Sequence, residues 1–396
     1  MTDPRRPSVR LALGGLLALA AAMGIGRFVY TPVLPPMAEA LDWSRGQAGL
    51  LASANFAGYL GGALLAATPL VPGSRRAWLL AALAASAVTT AAMGLGASMA
   101  AFVPLRFAGG AASAFVLVFS SALVLDRLAE AGRSRLAALH FAGVGAGIAL
   151  SAVVVATLEA AGLGWRWHWL ATGGLSLAAL ALVVPLVPED TDRRAPATPA
   201  APPAAARRAP AGLVVAYGLF GFGYVITATF LVAIVRASED AQALEPVVWL
   251  VVGLTAAPSV ALWTWVSARA GVGRTFALAA VLEALGITAS VLWLATPGAL
   301  LAAALLGGTF MGLTALGLIG ARAVAGGDPR RTLGVMTASF GLGQIVGPAY
   351  AGLVGDATGS FLIPSLTAAG ALLAAAWLAP LALRERPGRP GAAAQE

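Results

Sequence analysis

The chain has 396 residues, 59% of them hydrophobic and only 11% charged, with a mean hydropathy of +0.85. A soluble domain carries about 25% charged residues, so a water-covered surface is excluded and the chain must face lipid. All 25 basic residues are arginine and the net charge is +8, but they sit in short breaks between apolar runs, a sign of membrane topology rather than of nucleic-acid binding.

A bilayer core of about 30 Å takes roughly 20 apolar residues per helix. Runs of that size predict six spans at 11–36, 46–71, 77–97, 100–125, 137–158 and 167–187. Six more follow at 212–235, 246–268, 275–296, 299–321, 332–355 and 361–383. The first run follows Arg5, Arg6 and Arg10. It is too long for the apolar part of a signal peptide, so a retained helix is expected. Pro32, Pro35 and Pro36 are expected to break it at its outer end. Residues 188–211, rich in Pro and Ala, read as a flexible cytoplasmic linker. The expected organisation is an all-α membrane protein: a six-helix bundle over 1–187, the linker, and a second six-helix bundle over 212–396. Cysteine is absent, which excludes a disulfide framework and a cysteine nucleophile.

Arginine placement sets the orientation. With both termini on one side, 20 of the 25 arginines fall on that side. Arg45, Arg166 and Arg236 fall on the other, and Arg27 and Arg106 lie inside spans. Such an asymmetry predicts cytoplasmic termini in a cell inner membrane.

The two halves repeat. Gly109-Gly110 matches Gly307-Gly308, Gly143-Val144-Gly145 matches Gly341-Leu342-Gly343, and Arg76 matches Arg274, each at an offset of 198. Gly24-Ile25-Gly26 matches Gly221-Phe222-Gly223 at 197. Two sets of six spans in the same orientation imply parallel repeats about an axis along the membrane normal.

On these features the chain resembles the major facilitator superfamily over nearly its whole length. Gly24-Ile25-Gly26-Arg27-Phe28-Val29-Tyr30-Thr31-Pro32 is similar to the first helix of the YbfB/YjiJ-type branch. The segment from Gly341 to Pro348, with Gly352 and Asp356, is similar to that branch's eleventh helix. Leu105-Arg106-Phe107-Ala108-Gly109-Gly110 resembles the superfamily's fourth-helix motif, an arginine ahead of a glycine. The resemblance implies the major facilitator fold, with helices 1, 4, 7 and 10 lining a central cavity. Two departures stand out. The loop between helices 2 and 3 keeps only Arg75 and Arg76 of its usual acid-and-arginine pattern, and the corresponding loop in the second half keeps Arg269 and Arg274 without an acid. The fifth helix carries Gly143, Gly145 and Gly147 without the proline typical of drug/proton antiporters.

Charges inside a bilayer usually face a cavity or a partner. Arg27 and Arg106 fall at similar depth in the outer half of the membrane, where two guanidinium groups offer bidentate sites for a carboxylate. The competing readings are snorkelling for Arg27 and bonding to backbone carbonyls of neighbouring spans for Arg106. Tyr30, Thr31, Asn55, Tyr59, Tyr224, Thr309 and Gln344 are polar groups at compatible depths. Tyr30, Asn55, Tyr224 and Gln344 join the two arginines as candidate substrate contacts, although buried amides and hydroxyls also serve as helix bridges. Glu283 is the one carboxyl well inside a span and is the proton-coupling candidate; a structural pairing with Arg322 is the alternative. Asp126 is expected either to latch an inward gate with Arg75, Arg76, Arg269 and Arg274 or to be a solvated loop acid. His140 and His168 are expected near the interfaces.

The sequence therefore predicts a secondary transporter of a small organic anion, working by alternating access with a proton or counter-solute. Efflux of amphipathic compounds is the alternative. No cofactor, metal or nucleic-acid partner is expected, and the protein is read as a monomer in the lipid bilayer and not as an enzyme.

Overall fold

The computed structural model describes residues 5–189, 210–325 and 329–383, and all regular structure among them is helical. Spans 1 to 6 are Pro7–Ala40, Arg45–Ala66, Arg75–Met93, Met99–Glu130, Ser134–Ala160 and Trp165–Leu186. Spans 7 to 10 are Ala211–Arg236, Gln242–Ala270, Val272–Leu292 and Thr296–Val324, and span 12 is Leu362–Ala382. These eleven are long and apolar enough to cross a membrane. Span 11, Pro329–Thr358, is a helix of 30 residues. All twelve coincide with the expected runs to within five residues at either end: span 1 starts and ends four residues outside its run, span 2 ends five residues early and span 4 five residues late. The greater part of the expected linker, with Arg193, Arg194, Arg207 and Arg208, lies outside the described residues, as do Arg384, Arg386 and Arg389.

Local chemistry sets the helix ends. Ser44 and Gln47 form a reciprocal capping box at the start of span 2. The Ser74 hydroxyl accepts the Ala77 N–H at 3.2 Å at the start of span 3. Gly271, at φ +82°, supplies the left-handed turn that separates spans 8 and 9.

Span 1 is broken, but not where its prolines led us to expect. The α-helix gives way to a π-helix over Ala20–Ile25 and then to a turn before restarting as Tyr30–Ala40. Pro32 stands in the first turn of the restarted helix, where its missing N–H is no loss. Pro35 and Pro36 are accommodated within it. The break sits instead where Gly24 and Gly26 allow close approach. A Cβ on Gly24 would lie 2.5 Å from the Gly147 Cα, and one on Gly26 2.5 Å from the Ser86 Oγ.

Spans 1–6 pack among themselves, as do spans 7–12, and the two sets meet chiefly where span 2 runs along span 11 and span 5 along span 8. The repeat is visible in this packing, with a shifted register. Gly143 and Gly147 of span 5 sit on the Leu16 and Ala20 carbonyls of span 1, and Gly343 and Gly347 of span 11 on the Gly218 and Phe222 carbonyls of span 7. Packing thus matches span 5 to span 11 at an offset of 200 and span 1 to span 7 at an offset of 202. The Gly341 matched to Gly143 by sequence instead meets Leu60 of span 2.

Candidate functional site

The turn in span 1 presents Arg27 between the two sets of spans. Its guanidinium lies over the rings of Tyr59 at 4.0 Å, Phe56 at 4.6 Å and Phe28 at 5.5 Å. The residue is 4% exposed, so it does not snorkel. Its Nε and Nη2 have no hydrogen-bond partner among the described residues, and no carboxylate among them pairs with it. Cation–π contact in a desolvated site is worth about 2 kcal/mol or more, whereas burying an ion costs several kcal/mol. The ring cage offsets only part of that cost.

Arg106 is used differently. Its Nη1 donates to the Gly26 carbonyl and its Nη2 to the Arg27 carbonyl, both at 3.3 Å. The break in span 1 explains why the second of these acceptors is free: the Thr31 N–H turns to the Phe28 carbonyl at 3.3 Å and leaves that of Arg27. Arg106 is 3% exposed and packs over Tyr30 and Trp169. The carbonyl-bonding alternative for Arg106 is therefore what the geometry displays, and the arginine holds the loop that carries Arg27. Two other candidate contacts act as bridges. Asn55 donates to the Arg106 carbonyl at 2.8 Å, and the Tyr30 hydroxyl donates to the Ala48 carbonyl at 2.8 Å.

Across the seam, the Gln344 amide donates to the Tyr224 hydroxyl, and Arg27 and Tyr59 are within electrostatic reach of that phenol. Tyr224 stacks on Phe310 and Phe340, both with centroids 5.8 Å away. Phe310 in turn meets Phe28 edge-on at 5.8 Å. Arg27, Tyr59, Tyr224 and Gln344 thus converge, walled by aromatic rings that only the folded packing brings together. Above them the Thr31 hydroxyl donates to the Ala228 carbonyl at 2.6 Å. A cleft of about 370 Å³ lies at the end opposite the termini, lined by Leu34, Trp43, Arg45, Phe230 and Phe361 among others.

Glu283 is fully buried, and neither carboxylate oxygen has a hydrogen-bond partner among the described residues. It lies beside Thr309, whose hydroxyl donates to the Leu305 carbonyl. The expected alternative pairing with Arg322 is not formed; that arginine is exposed near the terminal end of span 10. His140 and His168 are also fully buried, each the fourth residue of its α-helix, and the His140 ring packs against Gly15 of span 1.

The expected gate residues form contacts within one half. Arg75 pairs with Asp126 at 3.7 Å between spans 3 and 4, with both side chains exposed. Arg76 donates to the Val184 and Val187 carbonyls at the end of span 6. Arg269 bonds the Trp265 carbonyl and lies over that ring in its own helix. Arg274 is exposed. Polar links between the halves among the described residues occur at the other end, outside the expected gate residues: Arg236 pairs with Glu39 and Glu159, and the Asp356 carboxylate accepts the Arg45 N–H at the start of span 2. Their sequence signals were that Arg45 and Arg236 are two of only three arginines at that end, and that Asp356 belongs to the segment resembling the eleventh helix.

The family described as "uncharacterised MFS-type transporter YbfB" matches residues 19–380. No curated protein matches the sequence. Among solved structures, a mutant of the nucleoside transporter NupG superposes with a TM-score of 0.72 at 14% identity, covering 95% of this chain and 100% of that one. A bacterial homologue of the human lysosomal transporter Spinster, in an inward-facing and occupied conformation, gives 0.65 at 15% identity, covering 97% and 96%. Both are similar in fold. With twelve spans among the described residues and a family match over nearly all of its length, the chain belongs to the YbfB-type family of major facilitator transporters, and is a multi-pass membrane transporter, not an enzyme.

Proposed function

We propose that the protein moves a small organic anion across the inner membrane by alternating access of its two six-helix halves, 1–187 and 212–396, with both termini cytoplasmic. The observation that carries this reading is Arg27: a buried guanidinium with two nitrogens unpartnered, and no carboxylate paired with it, among the described residues. A carboxylate ligand supplies the missing charge and accepts the free N–H groups in the bidentate manner that suits arginine. Tyr224 and Gln344 close the site from the opposite half. Glu283, a buried acid beside Thr309 in that half, is the group assigned to proton coupling.

The test is uptake into proteoliposomes with a panel of carboxylates, with and without a proton gradient. A nucleoside, the substrate named for NupG, serves as a neutral member of the panel. Arg27→Ala should lower carboxylate uptake at least tenfold, and Arg27→Lys, which keeps charge but not the planar fork, should restore only part. Uptake indifferent to both changes would sink the anion site. The aromatic wall favours one second reading, proton-coupled efflux of amphipathic compounds. Extrusion of a lipophilic cation that survives Arg27→Ala would select it.

A further inference from the structure

Arg236 ends span 7 and meets three carboxylates. Its Nη2 lies 2.9 Å from Glu39 Oε2, and its Nη1 lies 3.1 Å from Glu245 Oε1 and 3.7 Å from Glu159 Oε1. Glu39 closes span 1 and Glu159 closes span 5, both in the first half. Glu245, at the start of the span 8 α-helix, shares the second half with Arg236. The Arg236 side chain is 34% exposed and that of Glu159 33%, while Glu245 is 16% exposed. The cluster borders the seam where Glu159 and Glu245 line one crevice with Pro32, Val232 and Trp249.

The distribution of charge makes this more than a surface ion pair. When the halves part at this end, Arg236 keeps Glu245 but loses Glu39 and Glu159. Among the described residues, the ionic links between halves all lie at this end, while Arg75–Asp126 at the terminal end stays inside one half. Along the same seam glycine backbones bring spans 2 and 11 close together: Gly352 against the Arg45 carbonyl and Gly49 against that of Pro348.

We propose that Arg236 is the pin of an electrostatic latch that holds the end opposite the termini closed, with Glu39 and Glu159 as its catches on the other half. The arithmetic of charge gives the latch an unusual signature. Removing the catches costs two attractive contacts and leaves a neutral Arg236–Glu245 pair. Removing the pin also costs those contacts, and additionally leaves three carboxylates facing one another without a counter-charge. Pin removal must therefore open the end further than catch removal, and deleting the catches from a pinless protein must close it again.

The absence of native cysteine makes the test direct. Spin labels at Ala161→Cys and Ala243→Cys, both exposed at this end, report the separation of spans 5 and 8 in full-length protein in nanodiscs. Glu39→Gln/Glu159→Gln should raise the open-to-closed ratio by about threefold to fivefold, as exposed ion pairs allow. Arg236→Gln should raise it further, and Arg236→Gln/Glu39→Gln/Glu159→Gln should fall back to the level of the double variant. The wild-type ratio should also rise in 1 M salt, which screens such pairs. If Arg236 merely fills space, the triple variant will be at least as open as Arg236→Gln. That result, or distances unmoved in Arg236→Gln, overturns the latch.

Discussion

Asp356 of span 11 caps a helix from the other half of the molecule. Its carboxylate accepts the N–H of Arg45 at 2.8 Å and the N–H of Gly46 at 2.9 Å, at the start of span 2. A negative group at a helix N-terminus satisfies free donors and meets the positive end of the helix dipole. In return the Arg45 guanidinium donates to the Gly355 and Gly359 carbonyls. Losing an N-cap costs about 1 kcal/mol, which is roughly a fivefold change in an equilibrium. Asp356→Ala should therefore speed modification of a cysteine placed at buried Ala48, in the cleft at this end, by about fivefold with an impermeant maleimide. An unchanged rate means the cap does not hold the halves together.

The inter-half seam depends on glycine for distance rather than for backbone freedom. A Cβ on Gly49 would stand 2.2 Å from the Pro348 carbonyl oxygen, and one on Gly253 2.3 Å from the Ala149 nitrogen. Backbone atoms cannot swing aside, so alanine at either place forces the spans apart at a cost of about 1–3 kcal/mol. Gly61 is the control, with nothing within 4 Å of its added Cβ; alanine there gains helix propensity of up to about 1 kcal/mol. Thermal unfolding midpoints should fall by several degrees for Gly49→Ala and Gly253→Ala and stay level or rise for Gly61→Ala. Equal midpoints for all three would contradict the close seam.

Arg106 should act on transport through position. Arg106→Met leaves the Gly26 and Arg27 carbonyls without their donors, and each buried orphan costs about 1–3 kcal/mol. Arg106→Lys has a single head that reaches one of the two. The expected pattern is a loss of maximal rate in the order arginine, lysine, methionine, with the apparent affinity for substrate less changed than in Arg27→Lys. An Arg106→Lys protein whose defect lies wholly in KM would mean that Arg106 touches the substrate.

Much of this architecture was legible in the sequence because lipid enforces it. A span needs an unbroken apolar run, and the spacing of Arg5, Arg75, Arg127 and Arg269 between runs follows from the cost of burying them. The break in span 1 was only half legible. Pro32 marked the region, yet the break fell upstream, around Gly24 and Gly26, because a helix restarting at Tyr30 accepts a proline in its first turn. Arg27 and Arg106 looked alike from one dimension, two arginines at one depth. What separates them is which carbonyls the turn frees, and that depends on the fold. The 198-residue offset was real as composition but misaligned span 11, since in a glycine-rich helix several registers match and only packing selects Gly343 opposite Gly218. Arg236, Glu39, Glu159 and Glu245 lie on four helices, so nothing in their spacing announced the cluster.

Glu283 offers the sharpest separation of coupling from folding. Glu283→Gln is nearly isosteric and replaces a buried acid, without a hydrogen-bond partner among the described residues, by a neutral amide, so stability should hold or rise. If Glu283 carries the coupling proton, the variant loses accumulation driven by a proton gradient at least tenfold, because no proton can bind and leave there. Exchange of external for internal substrate should continue, since that half-cycle needs no net proton movement. The measurement is paired gradient-driven uptake and counterflow in the same proteoliposomes. Loss of both activities together would assign Glu283 to substrate binding or structure, and retention of both would remove it from the transport cycle altogether.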